Sequence, residues 1–216
     1  MNSSSQARRR RYNELAGTNL GRLEAISDGI FAVGMTLLVL GLAQPMVAAV
    51  KNESDLLQQL QVLVPSVVTY VMSFLTLGIF WIGQQTQLSS VERADRNFSW
   101  IHLTFLLTVT LVPFTTQLLA HFHWSRVALI VYWLNIFVMG SMLLVGAEYG
   151  ARARLFPEQL VRPLLAAVRR RVYGAQALYF AAMLLSIFDT HWSIGMIVAI
   201  QLNFALAPPI PFLRSL

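Results

Sequence analysis

Two adjoining stretches decide how this chain folds: Arg22-Leu-Glu-Ala-Ile-Ser-Asp28 and, directly after it, Gly29-Ile-Phe-Ala-Val-Gly-Met-Thr-Leu-Leu-Val-Leu-Gly-Leu42. The second carries no charge, and the charge-free run continues to Val50. A membrane-spanning helix needs about 20 mostly apolar residues. With its polar lead-in the pair predicts such a helix over 22–43. Charged side chains are costly near the bilayer core, so Arg22, Glu24 and Asp28 at its mouth are the first residues to explain.

The rest of the chain repeats the apolar pattern. Of its 216 residues, 56% are hydrophobic and 12% charged, against about 25% charged in soluble domains. Five more apolar segments follow, over 62–86, 98–120, 127–145, 172–188 and 192–207. Pro65 suits the first turn of the second span, Pro113 predicts a kink in the third, and Pro208, Pro209 and Pro211 end the sixth. The expectation is an all-α membrane protein with six transmembrane helices in a single domain, 1–216. Residues 1–18 are read as a flexible cytoplasmic N-terminus. Arg8 to Arg11 before an apolar run suggest a signal peptide, but Glu14, Glu24 and Asp28 intervene and no small-residue cleavage site follows. The stretch reads as a retained first span.

Charge placement sets the orientation. With both termini cytoplasmic, fourteen of the sixteen Lys and Arg residues lie on the cytoplasmic side, leaving only Lys51 and Arg126 outside. That is the positive-inside pattern. It accounts for the net charge of +6 without nucleic acid, which is not expected as a partner. Between Glu148 and Arg171, Leu155, Leu160, Leu164 and Val168 recur among arginines, as in a short interfacial helix. Cysteine is absent, which removes disulfides, thiolate metal sites and thiol nucleophiles.

Projected at about 100° per residue, Val33, Leu37 and Leu40 fall on one narrow face of the first helix, and Asp28 lies about 140° from Val33. The acid and the aliphatic stripe therefore point in different directions. Asp28 has no local partner, because Arg22 is six residues away and Glu24, at i−4, has the same sign. It is expected to be buried against neighbouring helices, and Trp81, Gln84, Gln85 and His102 are the candidates on the same side. The alternative is that Ser27 or Asp28 caps a helix starting near Gly29. Gly29 and Gly34 offer close approach to another helix. On residues alone, the stripe reads equally as packing or lipid-facing surface.

Arg22, then Ser27-Asp28 and Ala32, with Ile26 in place of a phenylalanine, resemble the first-helix signature of the transmembrane protein 175 family of potassium channels. The run from Val33 to Leu40, Phe80-Trp81, Arg93, Arg96 and Pro113-Phe114 are similar to the family too. The resemblance implies a homotetramer in a bacterial or archaeal plasma membrane, its central pore lined by the first helices. Carried over, it makes Val33, Leu37 and Leu40 the aliphatic constriction, with Thr36 beside them. Arg22, Ser27, Asp28, Trp81, Gln84 and His102 become the polar network anchoring that helix. Gln84 and His102 stand where the family often has histidine and asparagine, and Val33 is smaller than the usual ring residue.

The function implied is passive conduction of K⁺, modestly selective over other monovalent cations, with the bilayer and further copies of the chain as partners and no cofactor. A proton-coupled secondary transporter using Asp28 is the alternative. The sequence gives it no inverted repeat. An enzyme is not expected: no serine elbow, phosphate loop or zinc-helix motif is present. Of the histidines, His121 and His123 beside Trp124 read as interfacial rather than as a metal site.

Overall fold

In the computed structural model, which describes residues 19–42 and 50–206, every regular element is helical. Helix α1 runs Leu20–Val39. Asn19 caps it, its side-chain oxygen accepting the Arg22 backbone N–H at 3.1 Å, so one of the orphan donors of the first turn is satisfied. The helix thus starts before the polar cluster, and Ser27 and Asp28 lie well inside it. The reading of either as the cap is replaced by Asn19. At the far end, bonds from Leu40 N to the Leu37 carbonyl and from Gly41 N to the Leu38 carbonyl, both 3.1 Å, tighten the last turn.

Helix α2, Glu53–Val62, was read from sequence only as an outer loop. Asn52 caps it by accepting from Asp55 N at 2.9 Å, and Glu53 and Asp55 in its first turn complement the helix dipole. Helix α3 is Val64–Leu88, with Pro65 in its opening turn as expected. The third rod is α4, Arg96–Thr110, and α5, Val112–His121, interrupted at Leu111. Pro113 has no N–H to continue the α4 ladder, which gives the break its cause. Asp95 starts α4 by accepting from Phe98 N at 2.7 Å, and its other oxygen takes the Tyr149 hydroxyl at 2.7 Å.

Helix α6 covers Arg126–Arg152 and α7 covers Glu158–Leu184, followed by a 3₁₀ turn, Leu185–Ile187, and α8, Thr190–Leu206. There is no separate interfacial helix between Glu148 and Arg171. Instead α6 and α7 each extend past the apolar core, and a short connection joins them. Pro163 sits inside α7. It costs one hydrogen bond, to the carbonyl of exposed Gln159, which water can satisfy. The expected flexible N-terminus and the prolines after Ala207 lie outside the described residues.

By length and composition, α3, the α4–α5 rod and α6 can cross a membrane. The other three rods miss that mark for legible reasons. Helix α1 spends Arg22, Glu24 and Asp28 within 20 residues, α7 carries arginines along its first half, and α8 is described over only 17 residues, up to the end of the described chain.

Helix α1 packs on α3, α4 and α5, while α7 packs on α6 and α8 on the other side of the bundle. Three apolar clusters fill the interior. One joins Met72, Leu119, Leu129, Tyr132, Tyr179 and Ile197 from five helices. The second joins Phe31 and Leu38 of α1 to Leu77, Phe105 and Met139. The third joins Leu23, Leu88, Phe98 and Phe156. Phe31 is 1% exposed and tilts against Phe105 with ring centroids 6.1 Å apart. Lipid is as apolar as the core, so its contribution is packing rather than escape from water. Phe31→Ala is expected to leave a cavity of about 100 Å³ and, at about 24 cal/mol per Å³, to cost about 2 kcal/mol. Thermal unfolding in detergent measures it; an unchanged midpoint means that α1 is held elsewhere.

Candidate pore helix and its polar anchor

Helix α1 has two chemically distinct sides. Leu23, Ser27, Phe31, Gly34 and Leu38 recur at intervals of four, four, three and four, and all are buried. Ser27 is the polar member of this face. Its hydroxyl lies 2.6 Å from the Leu23 carbonyl and 2.6 Å from His102 Nε2 on α4, and the Gln84 amide of α3 donates to it at 3.5 Å. The hydroxyl donates to the carbonyl and accepts from the other two, so the imidazole presents its N–H at Nε2. Three helices meet at one oxygen.

Asp28 lies next to this face. Its Oδ1 accepts from Trp81 Nε1 at 2.8 Å and from Gln85 Nε2 at 3.2 Å, both on α3. The structure therefore brings Ser27, Asp28, Trp81, Gln84, Gln85 and His102 together, as the absence of a local partner for Asp28 required. Two expectations need correction. Asp28 is hydrogen-bonded but exposed rather than buried. Arg22 is also exposed, and among the described residues its guanidinium has no hydrogen-bond or ion-pair partner. It is one and a half turns from Asp28, on another side of the helix. Of the two glycines read as close-approach points, Gly34 faces Leu77 at ordinary contact distance and Gly29 faces open space.

Among the described residues the aliphatic stripe is left largely uncovered. Val33 is 56% exposed, Leu37 41% and Leu40 73%. Thr36 is exposed beside them and satisfies its hydroxyl on the Val33 carbonyl at 2.9 Å. Local bonding lets a threonine sit among aliphatics without an orphaned donor, and its oxygen keeps lone-pair capacity for another group.

A second polar cluster went unread in the sequence. Tyr132 OH on α6 lies 3.2 Å from both Ser73 and Thr76 on α3; Thr116 of α5 donates to Ser73 at 2.7 Å; Gln201 of α8 donates to Thr76 at 2.7 Å. All five side chains are buried. The cluster locks four helices in register at the centre of the bundle. Its only forewarning was small hydroxyls in two apolar spans, a weak signal because such side chains usually bond to their own helix.

Near the Trp124 end, the His123 and His191 rings stand 5.4 Å apart, and His191 bonds to Asp189 at 2.8 Å. Among the described residues no group of three or more metal-ligating side chains forms.

Fold and site thus define an all-helical bundle, apolar enough to cross membranes, whose first helix is fastened on one face and unpartnered on another. Residues 22–113, which hold that helix, its anchor and the third rod, match the family model described as endosomal/lysosomal potassium channel TMEM175. A potassium channel of Chamaesiphon minutus is 33% identical over 193 residues, covering 86% of this chain and 93% of that one. A potassium channel of Streptomyces collinus is 37% identical over 123 residues, 55% of this chain and 58% of its own. The crystal structure of a lysosomal potassium-selective channel TMEM175 homolog from Chamaesiphon minutus superposes with a TM-score of 0.75 at 30% identity, covering 88% of this chain and 98% of that one. This chain belongs to the TMEM175 family.

Proposed function

We propose that the chain forms a K⁺ channel in which α1 from each of four copies surrounds a central pore, with six spans per chain and both termini cytoplasmic. The observation that carries the reading is the unpartnered stripe Val33, Leu37 and Leu40 on a helix whose opposite face is fixed by Phe31, Ser27 and Asp28. The interior of a single chain is filled: Met72, Leu77, Leu119 and Leu129 are each 0% exposed. An ion path therefore belongs between copies rather than within one, and α1 is the helix with a face to give to it. Four copies turn the stripe into three stacked aliphatic rings, with Thr36 hydroxyls between them.

Such rings do not strip an ion of its water. They set a barrier through pore width and dewetting, so K⁺ crosses with much of its hydration shell and selectivity over Na⁺ is modest. Ser27, Asp28, Trp81, Gln84 and His102 serve as the anchor that fixes the rotation of α1 about its axis. The relatives named as potassium channels supply the choice of ion.

Purified protein in liposomes under opposed K⁺ and Na⁺ gradients tests the reading. The expected result is a non-saturating K⁺ flux, larger than that of Na⁺, altered by each of Val33→Ala, Leu37→Ala and Leu40→Ala. If all three leave conductance and ion preference unchanged, the stripe is not the constriction. Flux that saturates and is far slower than conduction identifies a transporter instead.

A further inference from the structure

We infer that the groove between α4, α6 and α7 on the cytoplasmic side holds the headgroup of an anionic phospholipid. The groove has a volume of about 620 Å³. Its lower wall is apolar: Ile101 of α4 with Leu144 and Val145 of α6. Its upper wall is polar, formed by Arg152, Glu148 and Tyr149 of α6 and by Arg169 and Tyr173 of α7. A phospholipid has the same division, with acyl chains below a charged phosphate.

The position suits that occupant. Tyr149 bonds to Asp95, the residue that caps α4 at its cytoplasmic end, which puts the polar wall at membrane-surface depth. Helices α6 and α7 lie away from α1, which packs on α3, α4 and α5, so four copies arranged around α1 leave this groove towards the bilayer. Arg169 meets Glu148 through Nε at 2.5 Å, so its two terminal nitrogens remain for phosphate oxygens, the geometry at which guanidinium excels. Arg152 is exposed on the same wall. Glu148 matches one arginine and leaves the groove cationic. The surrounding cytoplasmic leaflet is where anionic lipids draw basic clusters.

The inference rests on the membrane orientation proposed above, and lipid retention is read separately from conduction. Full-length protein in neutral detergent is titrated with phosphatidylglycerol or phosphatidylcholine, and bound lipid is counted by native mass spectrometry. Phosphatidylglycerol is expected to bind more tightly. Arg152→Gln with Arg169→Gln should weaken it by about tenfold, the effect of removing two interfacial arginines worth about 1 kcal/mol each, one of them partly neutralised. Glu148→Gln should tighten it, and Arg162→Gln, on the same helix outside the groove, should leave it unchanged. Equal binding of the two lipids overturns the site. So does an Arg162→Gln loss matching that of the groove pair, Glu148→Gln binding no tighter than the parent, or displacement by millimolar inorganic phosphate. Protein that conducts K⁺ yet shows any of these results refutes the lipid site alone. Should the double variant fail to fold, Glu148→Gln still decides the matter.

Discussion

Leu37→Asn is expected to raise unitary K⁺ conductance by about fivefold, the effect of taking about 1 kcal/mol from the barrier, and to bring K⁺ and Na⁺ permeabilities together. Leu37 is the middle member of the exposed stripe, one turn from Val33 on one side and from Leu40 on the other. If four such residues close the pore, they form its least hydrated level. An amide there offers water both donors and an acceptor, and the energy of dewetting falls. The experiment separates the two environments an exposed aliphatic can have. Facing lipid, an asparagine lowers thermal stability in a bilayer and leaves conduction alone. Facing a pore, it changes conduction and leaves stability close to the parent. Planar-bilayer recording and thermal unfolding of one preparation give both readouts.

Asp28→Ala is expected to abolish most of the current while costing only about 1 kcal/mol of stability. Trp81 Nε1 and Gln85 Nε2 both donate to its Oδ1. The acid is exposed, so released donors find water and the penalty stays at the low end for a charged hydrogen-bond acceptor. In the proposed tetramer function is more sensitive, because rotation of α1 would decide which side chains meet the axis. A turn of about 100°, one residue's worth, takes Leu37 off it. Asp28→Asn keeps an acceptor oxygen and should retain part of the current. Trp81→Phe should reproduce much of the loss, and combined with Asp28→Ala it should add little, as residues sharing one bond do. Arg22→Ala, which removes no described contact, should leave the unfolding midpoint in place. If Asp28→Ala conducts normally, the anchor lies with Ser27 and Phe31 alone.

Much of this arrangement was legible in the sequence for identifiable reasons. Proline marked the start of α3 and the break at Leu111 because a missing N–H has the same consequence in any setting. Charge repulsion from Glu24 and the six-residue gap to Arg22 sent Asp28 to another helix, and of the four candidate partners Trp81 and Gln85 bond to it while Gln84 and His102 meet Ser27. The readings that failed lacked such local logic. The first half of α7 looked like a short interfacial helix separate from the fifth span because arginines interrupt the apolar pattern, yet it continues the same helix outside the apolar core, where water tolerates the arginines and Pro163. The Tyr132 cluster was hidden because its residues come from four helices, α3, α5, α6 and α8, and only their packing brings them within bonding distance. Arg22 was named from family likeness, and no physical argument had given it a partner.

The division of α1 into a fastened face and a bare face separates two kinds of inheritance. Changes at Ser27, Phe31 or Leu38 disturb the fold of each chain and are screened as the protein is made. Exchanges among aliphatics at Val33, Leu37 or Leu40 disturb less, because all three are exposed among the described residues. In the proposed channel the width of the constriction can therefore change while the bundle stays constant.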